Sequence, residues 1–182
     1  MTTLRLITAP ANPTITTANA KLFLRVDHSS DDTLIASLVK AASETGESLS
    51  RLAFITQTLE MTIDEWPEDS LLELWRPPLQ SVTSVKYLNE SAVESTWTDY
   101  TVDIKNRPGK IIFHSFPSAA LLESGAITVR YVAGYGSDDA SVPEQIKQTV
   151  LQLVAYWYEG RGIGDVPNGI ANQFVGERVM WF

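Results

Sequence analysis

Few residues in this chain have the type and spacing to make or break bonds. Cysteine is absent, which removes thiol nucleophiles, disulfides and cysteine-ligated zinc. The two histidines, His28 and His114, have no metal-ligand partner at i+3, i+4 or i+5, and no Gly-x-Ser-x-Gly elbow is present. The segment DHSSDD places Asp27, Ser29 and Asp31 at the first, third and fifth positions of a calcium-like loop. Its sixth position is Asp32 instead of Gly and its twelfth is Leu38 instead of a bidentate Glu, so it reads as a helix cap. GRGIG at 160–164 has the glycines of a phosphate cradle, but such loops follow a strand and open a helix. This one follows a helical run with no Lys-Ser/Thr pair after it, and reads as a helix stop.

Asp64, Glu65, Glu68 and Asp69 cluster around Trp66. They make a carboxylate hydrolase one alternative reading, provided that they converge in a pocket with shifted pKa values. Otherwise they are a solvated strand end. No catalytic, cofactor-binding or metal-ligating residue is assigned, and no cofactor is expected. The aromatic residues point to association instead. Tyr156, Trp157 and Tyr158 are consecutive and cannot all face one side of a helix. Trp157 belongs to the apolar stripe, leaving Tyr156 and Tyr158 as candidates for a subunit interface. Trp181 and Phe182 invite the same reading.

The elements that position these residues follow from composition and period. The net charge is −8, with 14 basic residues scattered among 22 acidic ones, so tight binding to nucleic acid phosphates is not expected. The N-terminus MTTLRLITAPANP has no basic region followed by an apolar one, and no apolar run has the length to span a bilayer. A soluble protein made inside a cell is expected, with no membrane partner.

TITTANAKLFLRVD predicts a short first helix capped by Thr16 or Thr17, with Leu22 and Phe23 toward the core. A second helix, capped by Ser30 or Asp31, carries Leu34, Ile35, Leu38, Val39, Ala42, Leu49 and Leu52 on one stripe, and Gly46 weakens its far end. From Thr56 the period becomes two, with Leu59, Met61 and Ile63 on one side. SLLELW is a further strand. Pro77 and Pro78 mark the entrance to SVTSVKYL, which has Val85 and Tyr87 on one face. DYTVDI and GKIIFH form a hairpin turning at Gly109, and GAITVRYVAG closes the strands with Ile127, Val129 and Tyr131.

The last helix starts at Pro143, carries Ile146, Val150, Leu153, Val154 and Trp157 inward, and stops at Gly160. A glycine-punctuated tail follows. The expected fold is α+β: a small helical core from both ends of the chain, an inserted antiparallel β module and an extended C-terminal tail. The expected divisions are an N-terminal arm and helices at 1–54, the β module at 55–133, a core helix at 134–160 and the tail at 161–182.

Three stretches in this order, TANAKLFLRVDHSSDDTLIASLVKAA (17–42), RPPLQSVTSVKYL (76–88) and YVAGYGSDDASVPEQIKQTVLQLVAYWYE (131–159), carry a resemblance. Together they resemble the head-tail connector (adaptor) proteins of long-tailed bacteriophages and prophages, over roughly residues 15 to 160. The resemblance implies a structural virion protein, not an enzyme, made in the host cytoplasm and located at the head–tail interface. It implies a ring of copies, usually twelvefold, beneath the portal protein. Such a ring extends the DNA channel, lets DNA pass without specific binding, and receives a stopper or tail-completion protein. The segment after the last helix is implied to reach the portal, which makes Arg161, Phe174, Arg178, Met180, Trp181 and Phe182 the candidate contacts. A third reading is an interaction module that binds peptides through the β region.

Overall fold

A computed structural model describes residues 2–162 and 164–178. Met180, Trp181 and Phe182 lie outside the described residues. The fold is α+β, and the chain forms two compact units.

One unit, from residues 2–9 and 57–134, is made of strands. They are β1 (Thr2–Thr8), β2 (Gln57–Ile63), β3 (Leu71–Glu73), β4 (Leu79–Leu88), β5 (Glu94–Trp97), β6 (Tyr100–Asp103), β7 (Lys110–Phe113) and β8 (Ile127–Ala133). Five form an antiparallel sheet in the order β1-β2-β8-β4-β5, and three form a second in the order β3-β7-β6. The expected period of two is realised: β2 alternates buried and half-buried along its whole length, with Leu59, Met61 and Ile63 inward. Ile127, Val129 and Tyr131 of β8 are fully buried beside them.

Buried Tyr131 donates its hydroxyl to the Trp75 carbonyl at 2.7 Å, and burial pushes its phenol pKa up. The Pro77–Pro78 bond is cis and stands directly before β4, at the entrance expected from the sequence. Gly109 opens β7 because a Cβ there would lie 2.5 Å from Leu79 Cβ. β1 lies within the segment expected as an N-terminal arm. TTLRLIT alternates Leu4 and Leu6 with polar residues, and pairs with β2 over its length.

The other unit, from 10–56 and 135–178, holds α1 (Thr17–Leu24), α2 (Asp32–Ser50), α3 (Glu144–Glu159) and α4 (Asn168–Gly176). Thr16 caps α1 by accepting from the Asn19 N–H. The core joins Ile35, Leu38, Val39 and Ala42 of α2 to Ile146, Val150, Leu153, Val154 and Trp157 of α3. Four expectations need correction here. Leu22 and Phe23 do not face the core; they are 78% and 43% exposed, and the small Ala20 is the α1 residue that packs inward. Leu34 is likewise outside the buried stripe. Part of the expected tail is helical: α4 begins after Pro167 and buries Phe174 against Phe54, ring centroids 6.4 Å apart. Gly46 does not loosen α2. A Cβ there would stand 2.7 Å from the Phe174 ring and 2.9 Å from that of Phe54, so glycine is what lets these rings close on the helix.

Candidate functional site

Within neither unit do the residues singled out for chemistry form a catalytic cluster. His28 is exposed in the helical unit, while His114 Nε2 lies 2.8 Å from Thr101 Oγ1 in the β unit. Asp64 accepts from the Gly125 N–H at 2.7 Å and the Ser124 hydroxyl at 3.4 Å. The Gly125 bond holds its carboxyl below the usual range, the opposite of the shift a general acid at neutral pH requires. Asp69 caps the Leu71 N–H, and Glu65 and Glu68 are exposed. Trp66, at the centre of this acidic run, packs among Tyr87, Trp97, Phe113 and Phe116 with ring centroids 5.2 to 6.5 Å away. Asp64 and Asp69 hold turns beside an aromatic cluster, and Glu65 and Glu68 face solvent. Among the described residues no group of three or more His, Asp or Glu side chains is placed to hold a metal ion.

The association candidates divide into two groups. Tyr156 is 51% exposed on α3 and Arg161 is exposed just past its end, with φ 53°. Tyr158, Phe174 and Arg178 are engaged within their own unit. The Tyr158 hydroxyl donates to Asp31 at 2.6 Å, and that bond raises its pKa. Phe174 is 1% exposed in the helical core. The Arg178 guanidinium donates twice to the Leu49 carbonyl, at 3.0 and 3.2 Å, where the last carbonyls of α2 need donors.

Other surfaces were not singled out in the sequence. In the helical unit a groove of about 390 Å³ lies between α1 and α3, lined by Leu22, Phe23 and Leu151 with Asn19, Glu144 and Lys147. Lys147 bonds Glu144 at 2.8 Å and Gln148 donates to it at 2.9 Å; both hold the Glu144 carboxyl below its usual range. In the β unit, Leu6 and Ile7 of β1 are exposed. The signal for both was present as apolar residues on elements too short or too peripheral to be covered. Exposed apolar groups that adjoin one another are a feature of interaction surfaces.

The comparisons agree with this arrangement. No curated protein matches the chain. Three solved structures share its fold at 20% identity. A chain in the virion of a native gene transfer agent (GTA) particle matches with TM-score 0.82, covering 98% of this chain and 96% of that one. A chain in the neck of an empty GTA particle, computed with C6 symmetry, matches with TM-score 0.81 over 99% and 97%. One in the neck of a native GTA particle, computed with C12 symmetry, matches with TM-score 0.75 over 99% and 97%. The model of the head completion protein family matches residues 14–165, in accord with the connector resemblance read from the sequence, and the chain belongs to that family.

Proposed function

We propose that this head completion protein is an adaptor subunit that closes into a ring at the head–tail junction, beneath the portal, and continues the DNA channel. The observation that carries the proposal is the family match over 14–165, joined to a fold shared along almost the whole chain with proteins of GTA necks. Head completion is an assembly role, not a catalytic one. A ring of identical subunits needs two unlike patches per copy, joined head to tail until the rotation closes. The C6 and C12 symmetries of the matched necks support such a repeat. A net charge of −8 suits a channel wall that must not retain DNA.

The portal on one side and a stopper or tail-completion protein on the other are the proposed partners. Exposed Tyr156 is assigned to the neighbouring subunit. Arg161, together with Met180, Trp181 and Phe182, is assigned to the portal. Phe174 and Arg178 support that segment from within the helical unit. Cryo-electron microscopy of intact particles tests the proposal: a multi-copy ring of this chain directly below the portal is expected, and its absence there overturns it. Removing residues 179–182 is expected to weaken co-sedimentation with the portal while leaving the thermal unfolding of the subunit unchanged; undiminished co-sedimentation refutes the portal assignment.

A further inference from the structure

The five-stranded sheet ends in two unlike edges. β1 pairs with β2 alone and β5 with β4 alone, so each presents a row of backbone groups without a ladder partner among the described residues. Exposed edges are usually blunted by proline, clustered charge or a covering element. β1 has no proline and one charge, Arg5, and its Leu6 is 54% exposed although the residue opposite it, Leu59, is 1% exposed. We propose that β1 of one copy pairs with β5 of the next, so that the sheet runs on from subunit to subunit. The proposal rests on the ring reading above and names the contact that builds the ring.

Three observations select this pairing over like edge on like edge. The first is the apolar face. Leu4, Met61, Val129, Val85 and Trp97 form one row across the sheet, from β1 to β5. Joining β5 to β1 with Trp97 beside Leu6 of the neighbour continues this apolar face into the next copy. The second is charge on the opposite face. Arg5 stands opposite Glu60, Glu60 bonds Arg130 at 2.6 Å, and at the far side Lys86 bonds Glu94 at 2.6 Å. The face therefore begins with a cation at β1 and ends with an anion at β5. In that register head-to-tail pairing sets Glu94 opposite Thr3 and diagonal to Arg5 on the same face, within reach of two long side chains. Pairing like edges sets Arg5 beside Arg5 or Glu94 beside Glu94, which is unfavourable.

The third observation is direction. All four neighbouring pairs in the sheet are antiparallel, so β1 and β5 run the same way. A twelvefold ring turns each copy by only about 30°, so the two edges meet as a parallel pair. The seven residues of β1 are enough to cover the four of β5.

Charge exchange and cross-linking in the full-length chain test the pairing, after mass photometry of the unaltered chain and microscopy of particles have established whether rings form. Arg5→Glu and Glu94→Arg are each expected to weaken assembly about tenfold, and the double variant to restore it. Restoration separates the contact from damage within the subunit, because the double variant still sets a like charge against Glu60 and against Lys86 inside each copy. The absence of native cysteine permits a second arm. Arg5→Cys combined with Glu94→Cys, treated with a short bismaleimide, is expected to give a covalent ladder up to the ring size. Rings with neither ladder nor restoration overturn the edge pairing and leave the ring reading standing. Single-cysteine variants that cross-link into dimers show like edges meeting and also overturn it. If no ring forms in particles, both proposals fall.

Discussion

At the scale of single residues, Gly46 and Asp64 show how position decides what a side chain does. Alanine in a helix interior is favoured over glycine by about 1 kcal/mol, yet at position 46 a Cβ would press on the Phe174 and Phe54 rings at 2.7 and 2.9 Å. Overpacking costs about 1–3 kcal/mol, so Gly46→Ala is expected to destabilise the protein. Phe174→Ala, which empties the same site, is expected to cost about 3–5 kcal/mol. Urea unfolding checks both, and a Gly46→Ala variant more stable than the parent contradicts the packing account.

Asp64 gives a pH prediction. The Gly125 N–H lowers its folded pKa below the ordinary 3.8, so the folded state binds its proton more weakly than the unfolded one. The resulting stabilisation is complete above the unfolded value and is lost as pH falls through the folded one. Asp64→Asn is therefore expected to flatten the acid limb of the stability profile below about pH 4 while preserving the shape of the profile near neutrality. Thermal unfolding across the acid range measures it.

At the scale of elements, α4 is the piece that changes the meaning of the C-terminal region. Its residues, NGIANQFVG, include two glycines and have weak helix propensity by themselves. The helix exists because Phe174 finds the site left by Gly46, and because Arg178 reaches the carbonyl of Leu49. Tertiary packing outweighs propensity in short helices. Truncation before Asn168 is thus expected to destabilise the helical unit by an amount similar to Phe174→Ala, and removal of 179–182 to leave it intact. Hydrogen exchange of α2 near Leu49 and Ser50 reads the difference; equal protection in the two truncations contradicts the role given to α4. β1 is the counterpart in the other unit. Its alternation is short and half polar, so periodicity alone could not separate it from an arm; a partner strand with Leu59 and Met61 opposite is what makes it a strand.

At the scale of the whole molecule, the chain distributes its polar chemistry over caps and turns and keeps apolar groups for contact. Asp64 and Asp69, two of the carboxylates that looked most capable of catalysis, close loops, and exposed apolar groups include Leu22 and Phe23 of α1, Tyr156 of α3 and Leu6 and Ile7 of β1. That distribution fits a subunit built for assembly, and the charge-exchange experiment at β1 and β5 is where the assembly reading is most exposed to contradiction.

Much of the molecule was legible in its residues. The stripe of α3, the alternation of β2 and β8, the proline entrance to β4 and the hairpin at Gly109 all rest on local spacing, and each is present as the spacing predicts. The absence of cysteine removed thiol chemistry, the acidic balance set the expectation of no tight DNA binding, and three separated motifs carried the family. What spacing cannot carry is which apolar face meets another element, because coverage depends on residues far away in the chain. Tertiary structure decided that Leu22 and Phe23 remain outside while Ala20 goes in, and that Phe174 belongs to the core. It also decided that β1 and β5 become the two open edges of one sheet.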